Sequence, residues 1–194
     1  MPKRIDVAAV DRLRQRVVDS ADDLFYSRGV SSVTMDQLRD ASGVSLKRIY
    51  AMFPSKEDVV AAVLEKRHGI WTDGVEALVE KAPSARAKIL AVYDFLTHWF
   101  GEPSFRGCAF INAFAELGAT SPVVADLVRE HKASFQSRLA ELVRAAGGPA
   151  ELAAQLAILA EGAQTTAAIA GTSDAAVSAR AAAETLIDAA AVPA

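Results

Sequence analysis

Residues 34–53, TMDQLRDASGVSLKRIYAMF, constrain the fold more than any other stretch of the chain. The Thr34 hydroxyl is placed to accept from first-turn N–H groups. Gln37, three residues on, is placed to return a bond to the cap, so the pair spells a capping box. Leu38 and Ala41 follow as an apolar i, i+3 stripe. Gly43 falls where this helix must stop, because glycine enters the left-handed C′ conformation at least cost. Ser45 stands as a second N-cap. In the helix it opens, Ile49 and Phe53 share one face, and Leu46, Lys47, Tyr50 and Ala51 take the other. Two short capped helices about a glycine turn, with basic and aromatic residues outward, make a helix-turn-helix pattern. Helical hairpins of this kind also occur in all-α proteins that bind no DNA, so the pattern alone leaves both readings open.

The flanks narrow the choice. Val10, Leu13, Val17, Ala21, Leu24 and Phe25 recur at helical spacing and define a first helix that ends at Gly29. Its other face carries Arg12, Arg14 and Arg16 with three Asp, read as a solvated face. Val33 and Met35 are expected to pack the second helix on the first. The block 16–60, about a quarter of the chain, resembles the DNA-binding domain of TetR-family transcriptional regulators. The resemblance rests on Phe25-Tyr26-Ser27-Arg28-Gly29, Thr34, Ala41-Ser42-Gly43-Val44-Ser45, Ile49-Tyr50, Phe53 and Pro54-Ser55-Lys56-Glu57. After Val44 the family usually reads Ser-Lys-Gly-Thr/Ser-Leu-Tyr-x-His-Phe. Here Ser45, Tyr50 and Phe53 match, Lys47 replaces a glycine, Arg48 a hydroxyl residue and Met52 a common histidine. The resemblance implies phosphate contacts at Thr34, Tyr50 and Lys56, with Ser45 at the same surface. It implies none at the hydroxyl position now held by Arg48. Lys47 and Arg48 add two cations. They are expected to read bases, since Arg is the usual bidentate reader of guanine, or else to serve phosphates only.

A formal net charge of −3 runs against such a partner, but the distribution answers it. Residues 1–56 hold ten Lys/Arg against seven Asp, and the remainder holds eleven against seventeen Asp/Glu. Affinity for phosphate follows the local field rather than the total. The N-terminal Lys3 and Arg4 are read as a frayed end, or as an arm reaching phosphate or minor groove.

Beyond the block, Ser55 is expected to cap a helix with Asp58 at N3, running to about residue 80. Gly69 and Gly74 weaken it and favour a bend. Further helices are expected at 85–101, 105–118 and 122–146. Two Ala-rich helices follow, at about 150–170 and 174–191. Small residues let such helices approach closely, either within the chain or across a dimer interface; the resemblance implies a homodimer through residues about 150–191. The expected fold is therefore all-α with about nine helices. An N-terminal three-helix helix-turn-helix DNA-binding domain occupies 1–54, and a C-terminal helical ligand-binding and dimerisation domain occupies 55–194.

The aromatic and small residues of the body suit either solid core or a mostly apolar ligand pocket. The candidates are His68, Trp71, Phe95, His98 and Trp99, then Phe105, Cys108, Phe110, Asn112 and Phe114. Few charges lie among them, so an apolar or weakly polar effector is expected, with the helix after Ser55 as the lever. Cys108 with His98 or His68 is the only thiol–imidazole combination, and no catalytic or nucleotide-binding motif appears. No catalytic residue, cofactor or metal site is expected. One cysteine permits no internal disulfide. The longest run without a charged residue, 162–173, is too short to span a bilayer. With no apolar leader, the cytoplasm is the expected location. The resemblance implies a repressor of operator DNA released by a small-molecule effector. The competing reading is a helical small-molecule-binding protein without operator binding.

Overall fold

The computed structural model describes residues 7–192; the Lys3 and Arg4 arm lies outside them. All regular structure among the described residues is helical. Three helices come first: α1 (Val7–Arg28), α2 (Met35–Ser42) and α3 (Leu46–Met52). They are followed by α4 (Lys56–Val79), α5 (Ala85–Phe100), α6 (Ala109–Leu117) and α7 (Pro122–Ala145), and last by α8 (Ala150–Ala170) and α9 (Asp174–Ala189). Two compact units emerge. The first contains residues up to 67 together with 109–128; the second contains 68–108 and 129 onward. The expected division at residue 54 thus falls inside the first unit. No described helix is long and apolar enough to cross a membrane.

The termini of these helices follow from their caps. Gln37 N donates to Thr34 Oγ1 at 3.2 Å and Thr34 N donates to Gln37 Oε1 at 2.8 Å, closing the capping box. Gly43 takes φ +63 and its N–H donates to the Arg39 carbonyl. Ser55 and Asp58 cap α4 reciprocally: Ser55 N donates to Asp58 Oδ2 at 2.8 Å, and Asp58 N to Ser55 Oγ at 3.1 Å. Ser84 likewise caps α5 through the Ala87 N–H.

In the first unit α1 packs against α2 and α3. Val17, Ala21, Phe25, Leu38, Ile49 and Phe53 are buried there. Full burial of side chains like Ile49 and Phe53 contributes roughly 1.5–3 kcal/mol each. The apolar stripe of α2 is narrower than expected: Ala41 is exposed, and Ser42 is buried in its place. The Ser42 hydroxyl accepts from Val44 N at 3.3 Å, and the Ser42 carbonyl accepts from the Arg16 guanidinium at 2.7 Å. Arg14 lies over the Phe53 ring at 4.9 Å. These two arginines, exposed as expected, also tie α1 to α2 and to the end of α3.

In the second unit α5 packs on α8 and α9, and these two pack on each other. Alanines at 153, 157, 160, 176, 179 and 183 are buried along that contact, where small side chains let backbones approach. The Tyr93 hydroxyl donates to the Leu156 carbonyl at 2.8 Å, and burial pushes its pKa up. Gly74 has a packing reason: a Cβ there would lie 2.5 Å from Phe95 Cε2, whereas at Gly69 it would meet nothing. The helix expected from 105 begins at Ala109 instead. Pro103 and Gly107, the latter at φ +88, hold the preceding segment non-helical, so Phe105 lies in a loop.

Candidate nucleic-acid interface

α2, the Gly43 turn and α3 present one continuous set of polar side chains. Ile49, Phe53 and Val44 are buried beneath, so α3 must turn its opposite face outward. Lys47 and Arg48 are exposed, and neither has a carboxylate partner among the described residues. Tyr50 is 45% exposed, unusually open for a tyrosine on a packed helix. Arg39 on α2 differs, because Asp36 and Asp40 both pair with it. The cations left to meet an anion on α2 and α3 are therefore Lys47 and Arg48. Thr34 is exposed at the cap of α2, where the helix dipole and first-turn N–H groups favour phosphate. Ser45 occupies the cap position of α3 with extended backbone, but its side chain makes no cap hydrogen bond. The expected second side-chain cap is thus absent, and the Ser45 hydroxyl is not spent on its own helix.

Lys56 is turned inward. Its Nζ donates to the Val30 carbonyl at 2.6 Å and lies 5.9 Å from the centre of the Phe25 ring. Burial draws its pKa down, opposed by Glu116. One of its three N–H groups is engaged within the protein. Glu116, which the sequence reading did not single out, faces the same turn: it accepts from Val30 N at 3.0 Å and Ser31 N at 2.6 Å.

The ten expected pocket residues fall in both units. Phe110, Asn112 and Phe114 belong to the first, where Phe110 is buried, Phe114 is 46% exposed and Asn112 lines a cavity of about 30 Å³. The other seven belong to the second. There Trp71 meets Phe95, Phe135 and His131 edge-on at centroid distances of 6.0, 4.9 and 5.5 Å. Phe95 stacks on Trp99 at 6.0 Å, and Trp99 meets Phe105 at 5.1 Å. His98 is exposed on the outside of α5. Cys108 is buried, with Lys132 Nζ at 3.9 Å from its sulfur. His68 Nδ1 lies 2.9 Å from Nδ1 of His131, a buried histidine that the sequence reading passed over. Among the described residues no group of three or more His, Cys, Asp or Glu is placed to hold a metal.

A three-helix head whose exposed α3 carries unpaired cations is a helix-turn-helix DNA-binding unit. Comparison with known proteins agrees in both parts of the chain. The family model for bacterial regulatory proteins of the tetR family matches residues 17–63, and that for the tetracyclin repressor-like C-terminal domain matches 85–183. The chain belongs to the TetR family of transcriptional regulators. It is similar to the HTH-type transcriptional regulator SrpR of Pseudomonas putida, 38% identical over 64 residues, 33% of this chain and 30% of that protein. It is 29% identical over 92 residues to the HTH-type transcriptional activator FasR of Mycolicibacterium smegmatis, 45% of this chain and 42% of that one. These matches span less than half of the curated relatives' length. A crystal structure of a TetR-family regulator from Streptomyces coelicolor superposes with a TM-score of 0.86 at 25% identity, covering 93% of this chain and 96% of that one.

Proposed function

We propose that this DNA-binding regulator is a homodimeric repressor acting in the cytoplasm. It holds a near-palindromic operator until a small, largely apolar effector releases it. The observation that supports DNA reading is the exposed, carboxylate-free pair Lys47 and Arg48 on a helix whose other face is buried. We assign base contacts to Lys47 and Arg48. Phosphate contacts go to Thr34, Ser45 and Tyr50, and to Lys56 through the N–H groups that Val30 leaves over. Residues 1–54 carry the DNA-reading function and 55–194 the effector and dimer functions.

The dimer reading is supported by α8 and α9, which expose Ile158, Ile169 and Val177 at 73, 83 and 63%. They are the three most exposed large apolar side chains among the described residues, and a partner's helices would cover them. Two-fold symmetry of the protein is then mirrored in the two half-sites. The aromatic series of the second unit supports an apolar effector rather than a multiply charged one. The effector must bind the arrangement that does not hold DNA more tightly, and a typical coupling gives roughly a 5–150-fold loss of operator affinity. With α4 supplying residues to both units, it is the lever we assign. No catalytic step enters this reading.

The test is selection of duplexes from random sequence by the wild-type protein, followed by binding of the double variant Lys47→Ala, Arg48→Ala. Loss of a bidentate base contact costs roughly 1–3 kcal/mol and relaxes the preference at that position. Unaltered affinity and preference would sink the assignment. A protein that selects no duplex yet binds apolar ligands would be a helical ligand-binding protein instead. A promoter reporter separates repression from the activation named for FasR.

A further inference from the structure

The turn between α1 and α2 is held by a side chain from a distant part of the chain. Gly29 ends α1 at φ +83, and this left-handed step points the next two N–H groups the same way. Both are taken by one carboxylate: Glu116, near the end of α6, accepts from Val30 N at 3.0 Å and Ser31 N at 2.6 Å. The fit is close, since a Cβ on Gly29 would lie 3.0 Å from Glu116 Oε1. The Val30 peptide is gripped from its other side too. Its carbonyl accepts from Lys56 Nζ at 2.6 Å and from Val33 N at 3.2 Å. Partial burial works against ionisation of Glu116, but the Ser31 N–H and hydroxyl, the Val30 N–H and the Lys56 charge outweigh it and hold the carboxyl below the usual glutamate range.

Apolar side chains pack beneath this contact, with Phe110 and Ala113 of α6 buried. A cavity of about 30 Å³ separates α1, α4 and α6, lined by Phe25, Tyr26, Leu64, Ala109 and Asn112 among others. Besides this apolar packing, the end of α6 is tied to the turn by the two Glu116 hydrogen bonds. Four residues after Val30 stands Thr34, the cap of α2. The position of the turn therefore sets where α2 begins.

We propose that Glu116 is a positioning residue for DNA binding: from α6 its carboxylate fixes the Val30–Ser31 turn, and through it the placement of α2 and α3 against DNA. Displacing α6 breaks both bonds at once and leaves the turn held only through the Val30 carbonyl. This rests on α2 and α3 being the DNA-reading element.

Electrostatics and positioning predict opposite outcomes when the charge is removed. Glu116 is an anion on a unit that approaches phosphates, so neutralising it would strengthen binding if charge alone mattered. If the clamp matters, Glu116→Gln weakens binding, because its amide NH2 cannot accept from a second N–H. The experiment measures affinity for a duplex selected from random sequence by the wild type, over a range of salt, with helicity verified at the binding temperature. Glu116→Asp, which keeps the charge on a shorter side chain, is measured beside it. Both variants are expected to bind roughly 10-fold more weakly, the scale of one charge-assisted hydrogen bond. The salt dependence should be unchanged, because no phosphate contact is lost. Amide exchange at Val30 and Ser31 should accelerate in both. Folded variants that bind as well as or better than wild type overturn the assignment. A wild type that selects no duplex overturns the reading of α2 and α3, and this with it.

Discussion

Acidification should destabilise the second unit through one buried imidazole. His131 is 5% exposed, its Nδ1 lies 2.9 Å from His68 Nδ1, and the Trp71 ring meets it edge-on. Burial, the neighbouring Lys132 ammonium and His68 push its pKa from the ordinary 6.5 down to about 3. The folded protein therefore takes up this proton less readily than the unfolded chain. The neutral ring contributes stability that is complete above about pH 6.5 and is lost as the pH falls toward about 3. With these two values, acidification from about pH 8 to about pH 5 removes about 2 kcal/mol. The assay is urea unfolding of wild type and His131→Phe across this range, followed by circular dichroism and tryptophan fluorescence. Phenylalanine keeps a ring against Trp71 and removes the titration. The wild type should lose about 2 kcal/mol more than the variant on acidification. Parallel pH profiles would show that the His131 environment does not exclude the proton.

Three further outcomes follow from named contacts. Gly69→Ala should stabilise the protein by up to about 1 kcal/mol, since the added methyl meets nothing and alanine favours helix. Gly74→Ala should destabilise it by about 1–3 kcal/mol, because the methyl collides with the Phe95 ring, and equal thermal midpoints for the pair would refute this packing argument. Ile158→Glu should shift the light-scattering mass from two subunits to one without loss of helicity, as an unpaired charge at a covered interface costs roughly 3–5 kcal/mol; a wild type that scatters as one subunit at micromolar concentration would refute the dimer. An apolar effector seated in the aromatic series should alter Trp71 and Trp99 fluorescence and release operator together, and quenching without release would refute the switch.

Local signals carried most of the helical outline. Thr34 with Gln37, Gly43, Ser55 with Asp58, and Ser84 all specify helix ends through neighbours a few residues away, so the sequence displays them directly. The outward face of α3 was legible for the same reason, because burial of Ile49 and Phe53 leaves Lys47, Arg48 and Tyr50 no other direction. Contacts between distant segments left no such trace. Glu116 meets Val30 across 86 positions of sequence, and within α6 it reads as an ordinary surface glutamate. His131 lies between Glu130 and Lys132, a context that reads as solvated. Arg14 and Arg16 read as a charged face, and only the fold shows their contacts with α2 and α3. Phe105 reads as the start of an aromatic helix, whereas the geometry at Pro103 and Gly107 delays that helix to Ala109. Lys56 reads as an outward cation, and only the fold shows one of its bonds spent on Val30.

The first unit is assembled from two separated stretches, one ending at residue 67 and the other running from 109 to 128. During synthesis the reading helices leave the ribosome well before the segment that completes their unit. At about 5–20 residues per second the gap amounts to roughly 3–12 s. Through that interval the nascent chain carries α1, α2 and α3 without α6, and with Val30 and Ser31 open to solvent. Translation order thus withholds the finished head until residues 109–128 have been made. A transcript cut short between these stretches yields the reading helices without the means to set their turn.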